Sequence, residues 1–296
     1  MTHAGPDPEA GGTGAEMDFA GIDRPSRVAL PADPELLHAM AQAMPGWPRG
    51  PAAGPVATAD VTVLRDGDAW RVVATGWPGG ESPAADPLSA ANALAGLLVD
   101  AQLYRSNRLL GLHAAVAVFG AGAVVTLGHT GAGKSTLVLR LAARGLRALG
   151  DDRVLLDTGD VAGADAVALG LAPKARLPLP SGDADLAAFI ERRGALWVGD
   201  AVWLDGKAMA PFGTRAPLAA FVVLDRRADA GKARLEPLGA GPLAAQLIEQ
   251  ATAPADGAVA LVARIARLAA GGGHRLVYAD GVAACDVLAA QFGAIR

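Results

Sequence analysis

The chain has a single cysteine, Cys285, in 296 residues. That excludes an internal disulfide framework and any zinc site built on cysteine thiolates, and the thiol reads as a small apolar helix residue. Hydrophobic residues reach 52%, yet no uninterrupted apolar run has the roughly 20 residues that a membrane-spanning helix needs. Met1 to Ala15 has neither a basic n-region nor an apolar h-region, so no secretory signal is expected there. Positive charge is not in excess: 26 Lys and Arg stand against 30 Asp and Glu, a net charge of −4, which argues against broad nucleic-acid binding. No internal repeat is visible. These absences leave a soluble, cytoplasmic protein as the expectation, with neither nucleic acid nor membrane as partner. The length allows one large domain or two smaller ones with a sizeable core.

Composition shifts divide the chain. Residues 1–25 are rich in Gly, Pro, Ala and acidic side chains without apolar periodicity, and are expected to be a disordered tail. Residues 26–105 read as a small α+β accessory region. Asp33 would cap a short helix with Pro34 at its first position. Val61–Leu64 and Trp70–Ala74 flank a Gly-containing turn and predict a hairpin. A Pro/Gly-rich stretch, Trp77 to Pro87, precedes an amphipathic helix expected over 86–105. From about 106 to 296 the chain alternates apolar strand-like runs and helical stretches. Strands are expected at 116–119, 124–127, 146–149, 154–157, 220–224 and 275–278, and helices at 243–250, 257–269 and 282–292.

The most informative stretch is Gly128, His129, Thr130, Gly131, Ala132, Gly133, Lys134, Ser135 and Thr136. It satisfies the G-x-x-x-x-G-K-[ST] pattern of a phosphate-binding loop. Its glycines let successive backbone N–H groups point at one anion. Lys134 would reach the β- and γ-phosphates of ATP, and Ser135 would ligate Mg²⁺. The flanks agree: Ala123–Leu127 is a β-branched apolar run, as for a buried parallel strand. Leu137, Val138 and Leu141 follow at helical spacing, ending at Arg144 and a C′ Gly145. Lys134 is expected to be exposed to the site.

Three further features surround this loop. His113 lies fifteen positions before Gly128; Asp151 and Asp152 form an acidic pair, with Asp151 twenty-three positions after it; Pro173-Lys174 and Arg176 lie in a proline-rich loop. Phosphoryl transfer needs such parts: a carboxylate for the acceptor's proton, another for Mg²⁺, and cations for the moving phosphoryl group. Taken alone, Gly-Asp-Asp is also ordinary turn chemistry.

On Leu112-His113, the loop from Gly128 to Thr136, Arg144-Gly145 and Gly150-Asp151-Asp152, the chain resembles the catalytic domain of HPr kinase/phosphorylase and its relatives. The resemblance covers residues 109 to about 225, with a weaker tail to 292. It implies an α/β fold with a P-loop kinase core of the HPr kinase / PEP carboxykinase type, preceded by the small accessory region. It implies Asp151 as general base on an acceptor serine, supported by His113 and Asp152, with Ser135 and Asp152 toward Mg²⁺. The pattern looks closer to HPr-kinase-like proteins of peptide-modification systems. The expected activity is therefore ATP-dependent transfer of the γ-phosphate to a hydroxyl of a peptide or small protein. A small-molecule kinase and a non-catalytic nucleotide-binding component are the alternatives, and self-association into a homo-oligomer stays open. An ATP-binding transport subunit is disfavoured because no LSGGQ-type signature is present.

Overall fold

The computed structural model describes residues 14–54, 58–159, 163–180, 182–252 and 258–293. In chain order the first part runs β1 (Ala15–Phe19), β2 (Ser26–Leu30), α1 (Pro34–Ala43), β3 (Arg49–Pro51), β4 (Val61–Asp66), β5 (Ala69–Ala74), β6 (Glu81–Ala84) and α2 (Pro87–Arg105). There follow β7 (Leu109–Leu112), β8 (Ala115–Phe119), β9 (Gly122–Leu127), α3 (Lys134–Ala143), β10 (Arg147–Gly150), β11 (Val154–Asp157), β12 (Asp165–Val167) and β13 (Lys174–Arg176). The rest is α4 (Ala184–Arg193), β14 (Gly194–Val198), β15 (Ala201–Leu204), β16 (Arg215–Arg226), β17 (Arg234–Leu238), α5 (Ala240–Gln250), β18 (Ala251–Thr252), α6 (Ala258–Ala269), β19 (Gly273–Tyr278) and α7 (Gly281–Phe292). The architecture is mixed α/β.

The first six strands form one sheet in the order β3-β1-β2-β4-β5-β6, closed on one side by α1 and α2. The hairpin β4–β5 has the expected alternation, with Val61, Val63, Trp70 and Val72 inward, as a half-buried antiparallel pair requires. One expectation fails here, and one further stretch gains a strand. Residues 1–13 of the expected tail lie outside the described residues, but Ala15–Phe19 pairs with both β2 and β3. Its farthest partner is Pro51, opposite Met17, and its five-residue alternation of Ala15, Met17 and Phe19 with Glu16 and Asp18 is overshadowed by the Gly/Pro-rich residues before it. Within the Pro/Gly-rich stretch, Glu81–Ala84 adds the edge strand β6, with Pro83 where an edge tolerates it.

Helix α2 starts as expected, with Asp86 accepting from Ser89 N at 2.8 Å and Pro87 in the first turn. It is not a surface amphipathic helix. Leu94, Leu98 and Ala101 are fully buried, and Gly96, Gln102 and Leu103 are buried too. The helix packs against β4, β5 and β6 and also against β7, so most of its circumference meets protein and an apolar stripe gives way to apolar surround.

The larger sheet contains a parallel seam. β16 pairs in parallel with β9 on one side and with β19 on the other. β8 and β10 extend it beyond β9, while β17 extends it beyond β19. The first residues of β16 pair instead with β12, which leads through β11 and β7 to β18. All six residues of β9 are buried, which explains its continuous apolar run. Lys174–Arg176, expected in a loop, is a strand of a third sheet, β13-β15-β14.

The two regions are fastened by main chain. Gly46 N donates to Gly170 O at 2.9 Å, Phe212 N to Gly46 O at 2.9 Å and Ala172 N to Ala43 O at 2.9 Å, and Trp47 stacks on Phe212 with ring centroids 4.8 Å apart. Leu98 sits at the centre of the accessory core. Leu98→Ala is expected to lower stability by about 2–5 kcal/mol through a cavity, whereas Tyr104→Ala, on the exposed side of α2, stays within about 0.5 kcal/mol. Urea denaturation followed by circular dichroism measures both; equal effects would contradict this packing.

Candidate active site

Parallel strands carry their ligand-facing loops at their C-terminal ends. β9, β16 and β19 end side by side, and three features emerge there: the loop from Gly128 to Gly133, Arg226, and Tyr278. The loop turns directly into α3, whose first residue is Lys134. Gly133 has φ +99°, and a Cβ on it would come within 2.9 Å of Tyr278 Oη. Tyr278 O–H in turn donates to Ala132 O at 2.9 Å. The loop therefore needs glycine at 133 for two reasons, conformation and close approach.

A cleft of about 690 Å³ opens over this loop. His129, Thr130, Gly131, Gly133, Lys134, Ser135 and Thr136 line it, together with His113, Asp151 and Asp152. Gly128 and Ala132 are buried beneath the loop surface. Lys174 and Arg176 also line the cleft. Lys134 departs from expectation. It is buried, with Nζ donating to Gly128 O at 2.7 Å and His129 O at 3.4 Å. The loop curls around its own ammonium, whose charge needs acceptors once desolvated; burial lowers its pKa.

The acidic pair splits into two environments. Asp151 follows β10 and is buried; Oδ2 accepts from Lys174 N at 3.2 Å, and its main-chain O accepts from Ser135 Oγ at 3.2 Å. Burial pushes its carboxyl up to about 7, against the lowering effect of the Lys174 N–H. Asp152 is exposed, and its carboxylate lies 3.0 Å from His113 Nδ1. The hydrogen bond from His113 holds the Asp152 carboxyl below its ordinary value. Two adjacent carboxyls thus differ in proton affinity, the arrangement that separates a base from a fixed anion. Lys174 Nζ stands 3.8 Å from the centre of the Trp203 ring and bonds Asn92 Oδ1 at 3.3 Å. The ring and the amide hold this ammonium beside the acidic pair.

Sequence reasoning missed Arg226, Tyr278, and the α2 residues Ser89, Asn92 and Ala95, which also line the cleft, Tyr278 excepted. Arg226 had a signal: it stands two residues after the apolar run 220–224, at the C-terminal end of a parallel strand. The α2 contribution had none, because it arises from tertiary packing.

No cluster of three or more His, Cys, Asp or Glu that could hold a metal exists among the described residues. Ser135 and Asp152 are oxygen donors that both line the cleft, with the Asp152 carboxyl held below its ordinary value. That set fits Mg²⁺ held by one or two protein oxygens plus phosphates and water, and does not fit an all-protein cage.

No family model matches the chain, and no curated protein matches it. A solved structure, the Hpr(Ser) kinase/phosphatase from Coxiella burnetii, is similar at 13% identity and a TM-score of 0.33, over 61% of this chain and 95% of that one. The likeness is loose. No helix among the described residues is long and apolar enough to cross a membrane.

The raised carboxyl has a measurable consequence. Between 3.8, its ordinary value, and about 7, folded Asp151 keeps a proton that the unfolded chain has lost. Stability from this group therefore falls as pH rises through that window and is level above it. Asp151→Asn removes the slope. The stability difference between variant and wild type is expected to widen in favour of the variant from pH 4 to pH 8 in chemical denaturation; a difference independent of pH would contradict the burial of an ionisable Asp151.

Proposed function

We propose that the protein is an ATP-dependent phosphotransferase that moves the γ-phosphate of ATP to a hydroxyl, the acceptor being a serine of a peptide or small protein. One observation carries the reading: the glycine-rich loop and a buried carboxyl with a pKa near 7 share one cleft. Neither feature alone would suffice, since glycine turns are common and buried carboxyls also occur in structural networks.

In this reading the N–H groups of Gly131, Gly133 and the first turn of α3 receive the phosphates, aided by the helix N-terminus. Lys134 supplies charge to the β- and γ-oxygens by shifting from the loop carbonyls toward them. Ser135 and Asp152 would hold Mg²⁺, which would offset the negative charge of the phosphates. Asp151, ionised in a substantial fraction near neutral pH, accepts the acceptor's proton as its oxygen forms the bond to phosphorus and the bond from phosphorus to the β,γ-bridging oxygen breaks; ADP leaves. His113 fixes Asp152, so that Asp151 is the carboxyl left free to take a proton. Lys174 and Arg226 are placed to steady negative charge on the transferring group.

Lys134→Ala is expected to weaken Mg·ATP binding by about 1.5–3 kcal/mol, the scale of a lost charge-assisted hydrogen bond. Calorimetry with wild type and variant decides it, and equal affinities would remove the loop from nucleotide binding. Asp151→Asn is expected to slow single-turnover transfer from γ-labelled ATP to a serine peptide by about 10²–10⁴-fold. The wild-type rate should also rise with pH through about 7, the value to which burial lifts Asp151, and the variant should lose that limb. A wild-type rate in the variant would exclude Asp151 as the base.

A further inference from the structure

Next to the cleft lies a second cavity of about 390 Å³, within the size of pockets that take small ligands or single side chains. Asn92, His113 and Arg153 border both spaces. These three side chains are thus common to the walls of the two spaces.

One face of α2 forms its wall. Asn92, Gly96 and Asp100 stand four residues apart, which places them one above the other along the helix. Asn92 holds Lys174. At Gly96 a Cβ would come within 2.7 Å of Arg153 Nη1, so the missing side chain is what lets the guanidinium lie against the helix. Asp100, one turn further, lines the cavity. Its carboxylate has no hydrogen bond or ion pair within 4.0 Å among the described residues, Arg153 acting on it only at longer range. Arg153 is shared, since its Nε lies 4.0 Å from Asp152 Oδ2. The same guanidinium thus acts on two carboxylates, and Asp100 is left without a cation in direct contact among the described residues. The remaining lining mixes apolar Ala93, Leu97, Val99, Leu112 and Val154 with the hydroxyls of Ser82 and Thr252. Burial raises Asp100 above the ordinary carboxylate value, as expected of a carboxyl that lacks a direct partner.

We propose that this cavity is the acceptor subsite, and that it selects hydroxyl acceptors bearing an ammonium or guanidinium group, received by Asp100 while the hydroxyl turns past His113 and Arg153 toward Asp151. The inference rests on the phosphotransfer reading for the fate of the hydroxyl, but cation binding here is measurable without turnover. The same chemistry has two sources: a small amino alcohol, or a basic side chain beside a serine in a peptide.

The probes are ethanolamine against ethylene glycol, and the peptides Ala-Lys-Ser-Ala against Ala-Glu-Ser-Ala. Each is titrated by calorimetry or NMR into full-length wild type, Asp100→Asn and Asp100→Lys, with circular dichroism melts as the folding check. At least one cationic probe is expected to bind wild type tenfold or more tightly than its neutral or acidic counterpart. Asp100→Asn should erase that preference, and Asp100→Lys should reverse it for the peptide pair. A response confined to ethanolamine assigns a small amino alcohol, and one confined to the lysine peptide assigns a basic segment. Failure of both cationic probes to bind, equal binding of charged and neutral probes, or a preference that survives in Asp100→Asn overturns the proposal. Should either variant not fold, the wild-type panel alone decides between charge selection and none. Absence of Mg·ATP binding to wild type would strike the phosphotransfer reading instead, and leaves the measured cation selectivity as it stands.

Discussion

Everything at the candidate site hangs from the parallel hydrogen-bonded seam of β9, β16 and β19. Because the three strands run the same way, their C-terminal ends emerge at one edge of the sheet. The glycine-rich loop leaves β9, Arg226 ends β16, and Tyr278 ends β19. Tyr278 then closes the arrangement by donating to Ala132 O, which ties the far strand to the loop that leaves the near one. Without the seam the loop would be an ordinary Gly-rich turn. With it, the loop has a fixed floor and a fixed neighbour.

Above that floor the chemistry depends on unequal solvation. Asp151 is enclosed by β10, β13 and the start of α3, and receives one main-chain N–H from Lys174. Asp152 turns outward to His113. Adjacent residues on one turn point to different media, so two identical side chains have different proton affinities. The small β13-β15-β14 sheet serves this division: β13 supplies the N–H to Asp151, and Trp203 of β15 positions the Lys174 ammonium. The ammonium is itself partly desolvated, with its pKa lowered by burial and raised by the acidic pair.

How much of this could be read from the sequence follows from the range of the interactions. The loop was legible because its pattern is local: strand, glycines, Lys134, Ser135 and helix lie within about twenty consecutive residues. The β4–β5 hairpin and the Asp33 and Asp86 caps were legible for the same reason. Strand β1 was not, since its five-residue alternation is short, follows a Gly/Pro-rich stretch and gains its order from β2 and β3. Nor were the three-residue strands β12 and β13, which are too short to show a period. Within the cleft, His113 and the acidic pair were singled out by spacing and resemblance. Asn92, Ser89 and Tyr278 were invisible, because only packing brings an accessory helix and the last strand to the loop. Lys134 was misjudged on exposure, because the pattern says which residue turns inward but not that the loop's own carbonyls will hold it.

The main-chain bonds from the segment after α1 to Gly170, Ala172 and Phe212 bear on how the chain can be divided. Gly46 and Gly170 approach so closely that a Cβ on Gly170 would fall 2.4 Å from the Gly46 backbone. The stretch held in this way carries Leu169, Leu171 and Ala172 along the cleft wall and leads straight into Lys174. A boundary near residue 105 therefore marks a change in sequence composition but not a place to cut. A fragment excised there would keep every residue of the glycine-rich loop, yet would lose the clamp on the opposite wall. The minimal unit for crystallisation, for engineering or for tracing descent includes the elements from β1 to α2.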